Sequence, residues 1–242
     1  ALTPSSPRTN IFVRTLRPQL FAEMLVLGLE ATLVLLKADL CELLDAPDEA
    51  TVLQRSTDGG ATFAPLAPPD LPSIDIHAFA QAPSDPETVY AFVVGFGIFV
   101  STDAGETWEP RAQPGQTVGM DTFALLVDAD APDVVLAGGG QSGLSRSTDG
   151  ARTFAPVNEA GVLSMTADPA DPDRVVALTS QGIEESTDGG QTWAVVGSAD
   201  VDGQPVAITA GAGGRLWLVA DQPRLLHVST DGGATWQTAP PV

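Results

Sequence analysis

Two acids stand at matching places in the chain. Asp75 lies in "SIDIHAF" and Asp121 in "GMDTFAL", and each opens a short run of strand-forming residues. A third acid, Glu30, falls at the corresponding place one unit earlier. Two carboxylates across a cleft can hydrolyse a glycosidic bond, one as acid and the other as base or nucleophile. Two such oxygens can also hold a hard divalent cation, which would relieve the repulsion between the charges. His77 follows Asp75 by two residues and therefore shares its side of a strand. The competing account treats these acids as solvated charge and His77 as a packed or hydrogen-bonded histidine.

Composition limits the chemistry. The chain has 31 Asp and Glu against 11 Lys and Arg, a net charge of −20 over 242 residues. Such a surface repels nucleic-acid phosphates and suits cationic partners or metal ions. The acidity also fits a salt-loving or GC-rich habitat. Cys41 is the only cysteine, which excludes an internal disulfide and a thiolate zinc cluster. Two histidines, His77 and His227, leave little for an imidazole metal site. The most apolar stretch, Leu20–Leu44, is interrupted by Glu23, Glu30, Lys37, Asp39 and Glu42, so no transmembrane segment is expected.

The elements that position these residues announce themselves by repetition. The phrase Ser-Thr-Asp-X-Gly-X-Thr-aromatic begins at Ser56, Ser101, Ser147, Ser186 and Ser229, at intervals of 39–46 residues. Such a period marks a repeat architecture built from one supersecondary unit. Ahead of the last four phrases run three strand-like segments, for example "DIHAFAQ", "TVYAFVV" and "GIFV". Turn signals such as "SDPE" and "DAPD" separate the first two segments, and a short fourth run follows the phrase. Each unit therefore reads as four antiparallel strands, A to D, with the phrase at the C–D turn. Stacked units of this kind make a β-propeller.

The phrase resembles the Asp-box, or BNR repeat, of sialidases, sortilin-type receptors, family 74 glucanases and photosystem II assembly factors. The resemblance covers residues 51–242. The box aspartates Asp58, Asp103, Asp149, Asp188 and Asp231 are expected to accept hydrogen bonds from their own turns. Glycines such as Gly105, Gly190 and Gly233 permit positive φ, and Ala151 in the third copy predicts a slightly altered turn. The aromatics Phe63, Trp108, Phe154, Trp193 and Trp236 are expected to wedge between blades. A metal role for the five aspartates fails on geometry, because each blade offers one carboxylate and the blades are spread around a ring.

Function is thus expected on the opposite face, formed by the D–A and B–C connections. Candidate binding residues there are Glu30, Asp75, His77, Asp121 and Phe96, the last at the tip of "VGFGIF". The glycine run in "AGGGQSG" reads as a flexible B–C loop. The resemblance does not bring sialidase chemistry with it. The only tyrosine, Tyr90, falls at a core position, and the arginines Arg55, Arg146, Arg152, Arg174 and Arg215 lie in or beside boxes and A–B turns rather than on strand A.

The first fifty residues lack a box. Glu30–Leu36 is expected as strand A, the region around Cys41–Leu44 as strand B and Ala50–Arg55 as strand C. Residues 10–29 then appear surplus. The domain reading is a segment over 1–29, a ring-closing strand or part of a sixth blade, followed by an Asp-box propeller over 30–242. The expectation is an all-β propeller with five box blades and at most a degenerate sixth. Its expected role is that of a non-catalytic module binding a protein or glycan, located outside the cell, on its surface or in the periplasm. No cofactor is expected beyond a weakly held divalent cation at Asp75 and Asp121. The rival reading is a glycoside hydrolase with its acids at the channel mouth.

Overall fold

The computed structural model describes residues 10–14, 52–56, 61–73, 75–115 and 117–239. These form five antiparallel sheets that follow one another in chain order. The first has three strands, β1 (Asn10–Arg14), β2 (Val52–Ser56) and β3 (Ala64–Leu66). The other four each have four strands in the order A-B-C-D. The second contains β4 (Ile76–Gln81), β5 (Val89–Val93), β6 (Gly97–Ser101) and β7 (Glu109–Pro110). The third contains β8 (Thr122–Val127), β9 (Val135–Gly139), β10 (Gly143–Ser147) and β11 (Ala155–Asn158). The fourth contains β12 (Val162–Asp168), β13 (Asp171–Thr179), β14 (Gly182–Ser186) and β15 (Ala194–Gly197). The fifth contains β16 (Gln204–Gly211), β17 (Arg215–Asp221), β18 (Leu225–Ser229) and β19 (Gln237–Thr238). The innermost strands β4, β8, β12 and β16 pack against one another in sequence. No helix among the described residues is long and apolar enough to cross a membrane.

The packing follows from the two faces of each strand. In β5, Val89, Ala91 and Val93 join a cluster shared with the first sheet, while Tyr90 and Phe92 join a cluster shared with the third. Alternate side chains point to opposite faces, so a strand packed on both sides must be apolar throughout. β5 is buried along its whole length. Two further clusters fill the junctions between the third and fourth sheets and between the fourth and fifth.

Each of the four described boxes ties its sheet together at the outer edge. In the fourth sheet the Ser186 hydroxyl donates to Asp188 Oδ1 at 2.7 Å and accepts the Gly190 amide at 2.9 Å. Thr192 donates its amide to Oδ1 at 2.9 Å and its hydroxyl to Oδ2 at 2.6 Å. Asp103, Asp149 and Asp231 hold the same set. The box turns also bond to the A–B turns of their own sheets, through the Ala104, Gly150 and Gly189 amides and the Glu87, Asp133 and Asp173 carbonyls. The C–D and A–B turns thereby lie on one face.

Three expectations change here. Ala151 does not alter its turn: it takes φ of +63° and its amide still bonds Ser147 Oγ at 3.0 Å. The position needs a left-handed residue, and the enclosing bonds hold an alanine there. Phe63 is 40% exposed, more than the other box aromatics: Trp108 is buried, and Phe154, Trp193 and Trp236 pack half-buried against the junction clusters. In the first sheet, the place beside strand C belongs to β1, with Asn10 opposite Ser56 and Arg14 opposite Val52. Residues 10–14 thus hold the place beside strand C, and the Cys41–Leu44 stretch expected there lies outside the described residues. The sequence "NIFVR" carries β-branched and aromatic residues suited to a pleated ladder, unlike the helix-forming "CELL". Glu30, Asp58 and the expected strand A over 30–36 lie outside the described residues.

Candidate functional site

The face opposite the boxes is built by the B–C hairpins and the D–A connections. The innermost strands reach it at their N-terminal ends, and there each of the four complete sheets carries the same irregularity. The A–B pairing slips by one residue between Ile76 and Ala78, between Thr122 and Ala124, between Val162 and Ser164, and between Pro205 and Ala207. The residues left over are His77, Phe123, Leu163 and Val206. A β-bulge of this kind turns one side chain away from the alternation of its strand. Its neighbours Ile76, Ala78, Thr122, Ala124 and Val162 are buried, while Phe123 is 46% and Leu163 is 50% exposed. His77 is exposed and Val206 is half-buried.

The bulged residues of adjoining sheets meet. The His77 and Phe123 rings stack with centroids 5.7 Å apart and planes 19° from parallel. Phe96 and Met120 stand exposed on loops of the same face. Phe96 sits at the hairpin tip between Gly95 and Gly97, both at positive φ. Four of the eight exposed large apolar side chains among the described residues thus belong to this face. Clustered exposed apolar surface of this sort marks interaction sites.

The acids named from sequence take separate partners. Asp121 caps the B–C hairpin of its own sheet, where its carboxylate accepts the amides of Gln141 and Ser142. Partial burial raises its pKa, but the Ser142 hydroxyl and these amides outweigh burial and hold the carboxyl below the usual range. Asp75 is exposed, and its Oδ1 lies 3.7 Å from His77 Nε2. No group of three or more His, Cys, Asp or Glu able to hold a metal occurs among the described residues. Within the glycine run beside Asp121, Gly138 and Gly139 are packed and residues 140–142 at the tip are exposed. A Cβ at Gly139 would stand 2.2 Å from Ser142 Oγ, and one at Gly138 would stand 2.8 Å from Val162. Those glycines let hairpin, carboxylate and neighbouring sheet approach one another.

The remaining polar groups are structural. Tyr90 is buried, its hydroxyl donates to the Pro132 carbonyl at 2.9 Å, and burial with Asp133 nearby pushes its pKa up to about 12. It cannot act as an exposed nucleophile. Arg55 and Arg146 each reach the box of the following sheet, at the Ala104 and Gly189 carbonyls. Arg174 is held by Asp168 and Glu185. His227 is buried, with Nε2 at the Asp202 carbonyl, beside an open cleft of about 340 Å³ that Trp236 and Asp200 also line. Sequence reasoning named His77 and Phe96 but missed Phe123, Leu163 and Met120. For Phe123 the available signal was an apolar residue between two core positions of strand A, where alternation calls for a polar one.

The comparisons agree with this architecture. The BNR/Asp-box repeat model matches residues 99–110 and 227–238. The chain is a propeller carrying BNR/Asp-box repeats. Among solved structures, YCF48 bound to D1 peptide superposes with a TM-score of 0.57 at 15% identity, covering 79% of this chain and 62% of that one. An ancestral GH74 enzyme gives 0.57 at 20% identity, covering 68% of this chain and 24% of that one. The GH74 xyloglucanase from Xanthomonas campestris gives 0.55 at 16%, covering 78% and 34%. The chain therefore spans from about a quarter to just under two thirds of these neighbours. No curated protein matches it.

Proposed function

We propose that the chain is a non-catalytic binding module that takes a protein partner on the D–A/B–C face. The observation that carries this reading is the row of bulges, which presents His77, Phe123 and Leu163 to solvent beside the buried residues Ile76, Thr122 and Val162. A hydrolase needs two carboxyls about 5–9.5 Å apart and free to act. Asp121 is instead engaged by hairpin amides, and Asp75 stands beside His77. That a structural neighbour holds a peptide is consistent with a binding role for this type of scaffold. An acidic surface favours a partner with positive charge.

The test uses immobilised full-length protein and the double variant Phe123→Ser/Leu163→Ser, probed with arrays of peptides and glycans and assayed against xyloglucan. The expected result is ligands retained by the wild type and lost by the variant, with no polysaccharide cleavage. Cleavage that disappears in Asp75→Asn, or ligands retained equally by the variant, would overturn the reading.

A further inference from the structure

The geometry of the bulge row points to a particular kind of occupant, an inference that rests on the binding reading above. We infer that the row takes an extended peptide segment with apolar side chains at alternate positions and basic side chains flanking them. Side chains at i and i+2 of an extended chain lie roughly 6.6 Å apart. The one ring-to-ring step within the row, from His77 to Phe123, is 5.7 Å. Leu163 occupies the equivalent bulge on β12, which packs directly against β8. Three successive apolar side chains of an extended segment can therefore rest on three successive innermost strands. A helix would present its apolar residues at uneven three- and four-residue steps and would match this row poorly.

The row also favours a peptide over a sugar. Glycan subsites use open aromatic faces, whereas one face of Phe123 is covered by His77 and the next position is aliphatic Leu163. Charge adds the flanking preference. The connections of this face expose Asp75, Glu159, Asp200 and Asp202. Of its basic residues, Arg224 lies near Asp221 and Arg111 pairs with Glu109. Long basic side chains can lay their stems along the row and reach outward to these acids.

The experiment measures binding of three labelled heptapeptides to the full chain by fluorescence anisotropy at low and moderate salt. The first is Arg-Leu-Ser-Leu-Ser-Leu-Arg. The second is its isomer Arg-Leu-Leu-Leu-Ser-Ser-Arg, and the third is the charge-reversed Glu-Leu-Ser-Leu-Ser-Leu-Glu. The alternating basic peptide is expected to bind about tenfold tighter than either control, about 1.4 kcal/mol in each case. Phe123→Ser, Leu163→Ser and His77→Ser are each expected to weaken it about tenfold, while Val195→Ser on the outer strand leaves it unchanged. Unaltered melting of each variant confirms that the fold is intact. Equal binding of the isomer would overturn the extended register, and equal binding of the acidic peptide would overturn the charge assignment. If row variants lose a glycan or a folded protein while the peptide never binds, the face reading stands and the occupant is wrong. If nothing that binds responds to the row variants, the face reading itself fails.

Discussion

The box aspartates show how little of a repeated acidic phrase is free for chemistry. Asp149, Asp188 and Asp231 are held at about 2, first by the hydroxyls of Thr153, Thr192 and Thr235 and then by the amides of the same residues. A folded value below the unfolded value of about 3.9 means that folding favours the ionised form. That contribution is present in full above about pH 4 and is lost as pH falls toward 2. The melting temperature is expected to fall across this window, and Asp188→Asn, already lacking the ionised acceptor, is expected to show a shallower fall by calorimetry. The glycine two residues on is equally constrained. Gly190 has φ of +82°, and a Cβ there would stand 2.7 Å from two Leu136 methyls. Gly190→Ala is expected to destabilise by about 2–4 kcal/mol, combining left-handed strain with overpacking. At the same place in the third sheet, Ala151 has its methyl buried in the junction cluster, so Ala151→Gly exchanges strain for lost burial. Its stability is expected to stay within about 1 kcal/mol of wild type in urea unfolding.

Among the elements, the box aromatics differ in what they hold. Trp108 is buried at the junction of the first two sheets, tilted against Phe79 with ring centroids 6.4 Å apart. Trp193 is half-buried against the junction of the third and fourth. Trp108→Ala is expected to cost about 3–5 kcal/mol and Trp193→Ala less, read from denaturant midpoints at constant slope. A ranking in the opposite order would mean that the first junction contributes less than its burial suggests. The strands were legible in the sequence because each is a short apolar or β-branched run bounded by Pro, Asp and Gly turns. "VLSMTAD" is strand β12 without adjustment. The first sheet was not legible, because β1 and β2 are far apart in sequence and propensity alone cannot say which segment pairs with Val52–Ser56. The bulges were hidden for a related reason. A slip of one residue shows only when two strands are set side by side, so the sequence alone does not single out Phe123 and Leu163.

At the level of the whole molecule, a net charge of −20 acts against compactness at neutral pH. Moving from low salt to 1 M NaCl is expected to raise the melting temperature. Relief of about 1 kcal/mol would correspond to roughly 2–4 °C for a chain of this size. An unchanged or lowered melting temperature would show that attractive pairs such as Arg174 with Asp168 and Glu185 outweigh the repulsion. The bulge row has a different consequence for the molecule over longer times. In the second and third sheets it sets an outward-facing residue between positions that are themselves buried, in the fourth it sets Leu163 beside buried Val162, and the box bonds lie at the other face. Exchange of a row residue therefore leaves both the junction clusters and the boxes untouched. Each repeat works as a frame around one replaceable character, and gene duplication or recombination of repeats would rewrite the displayed word while the grammar of the fold stays fixed.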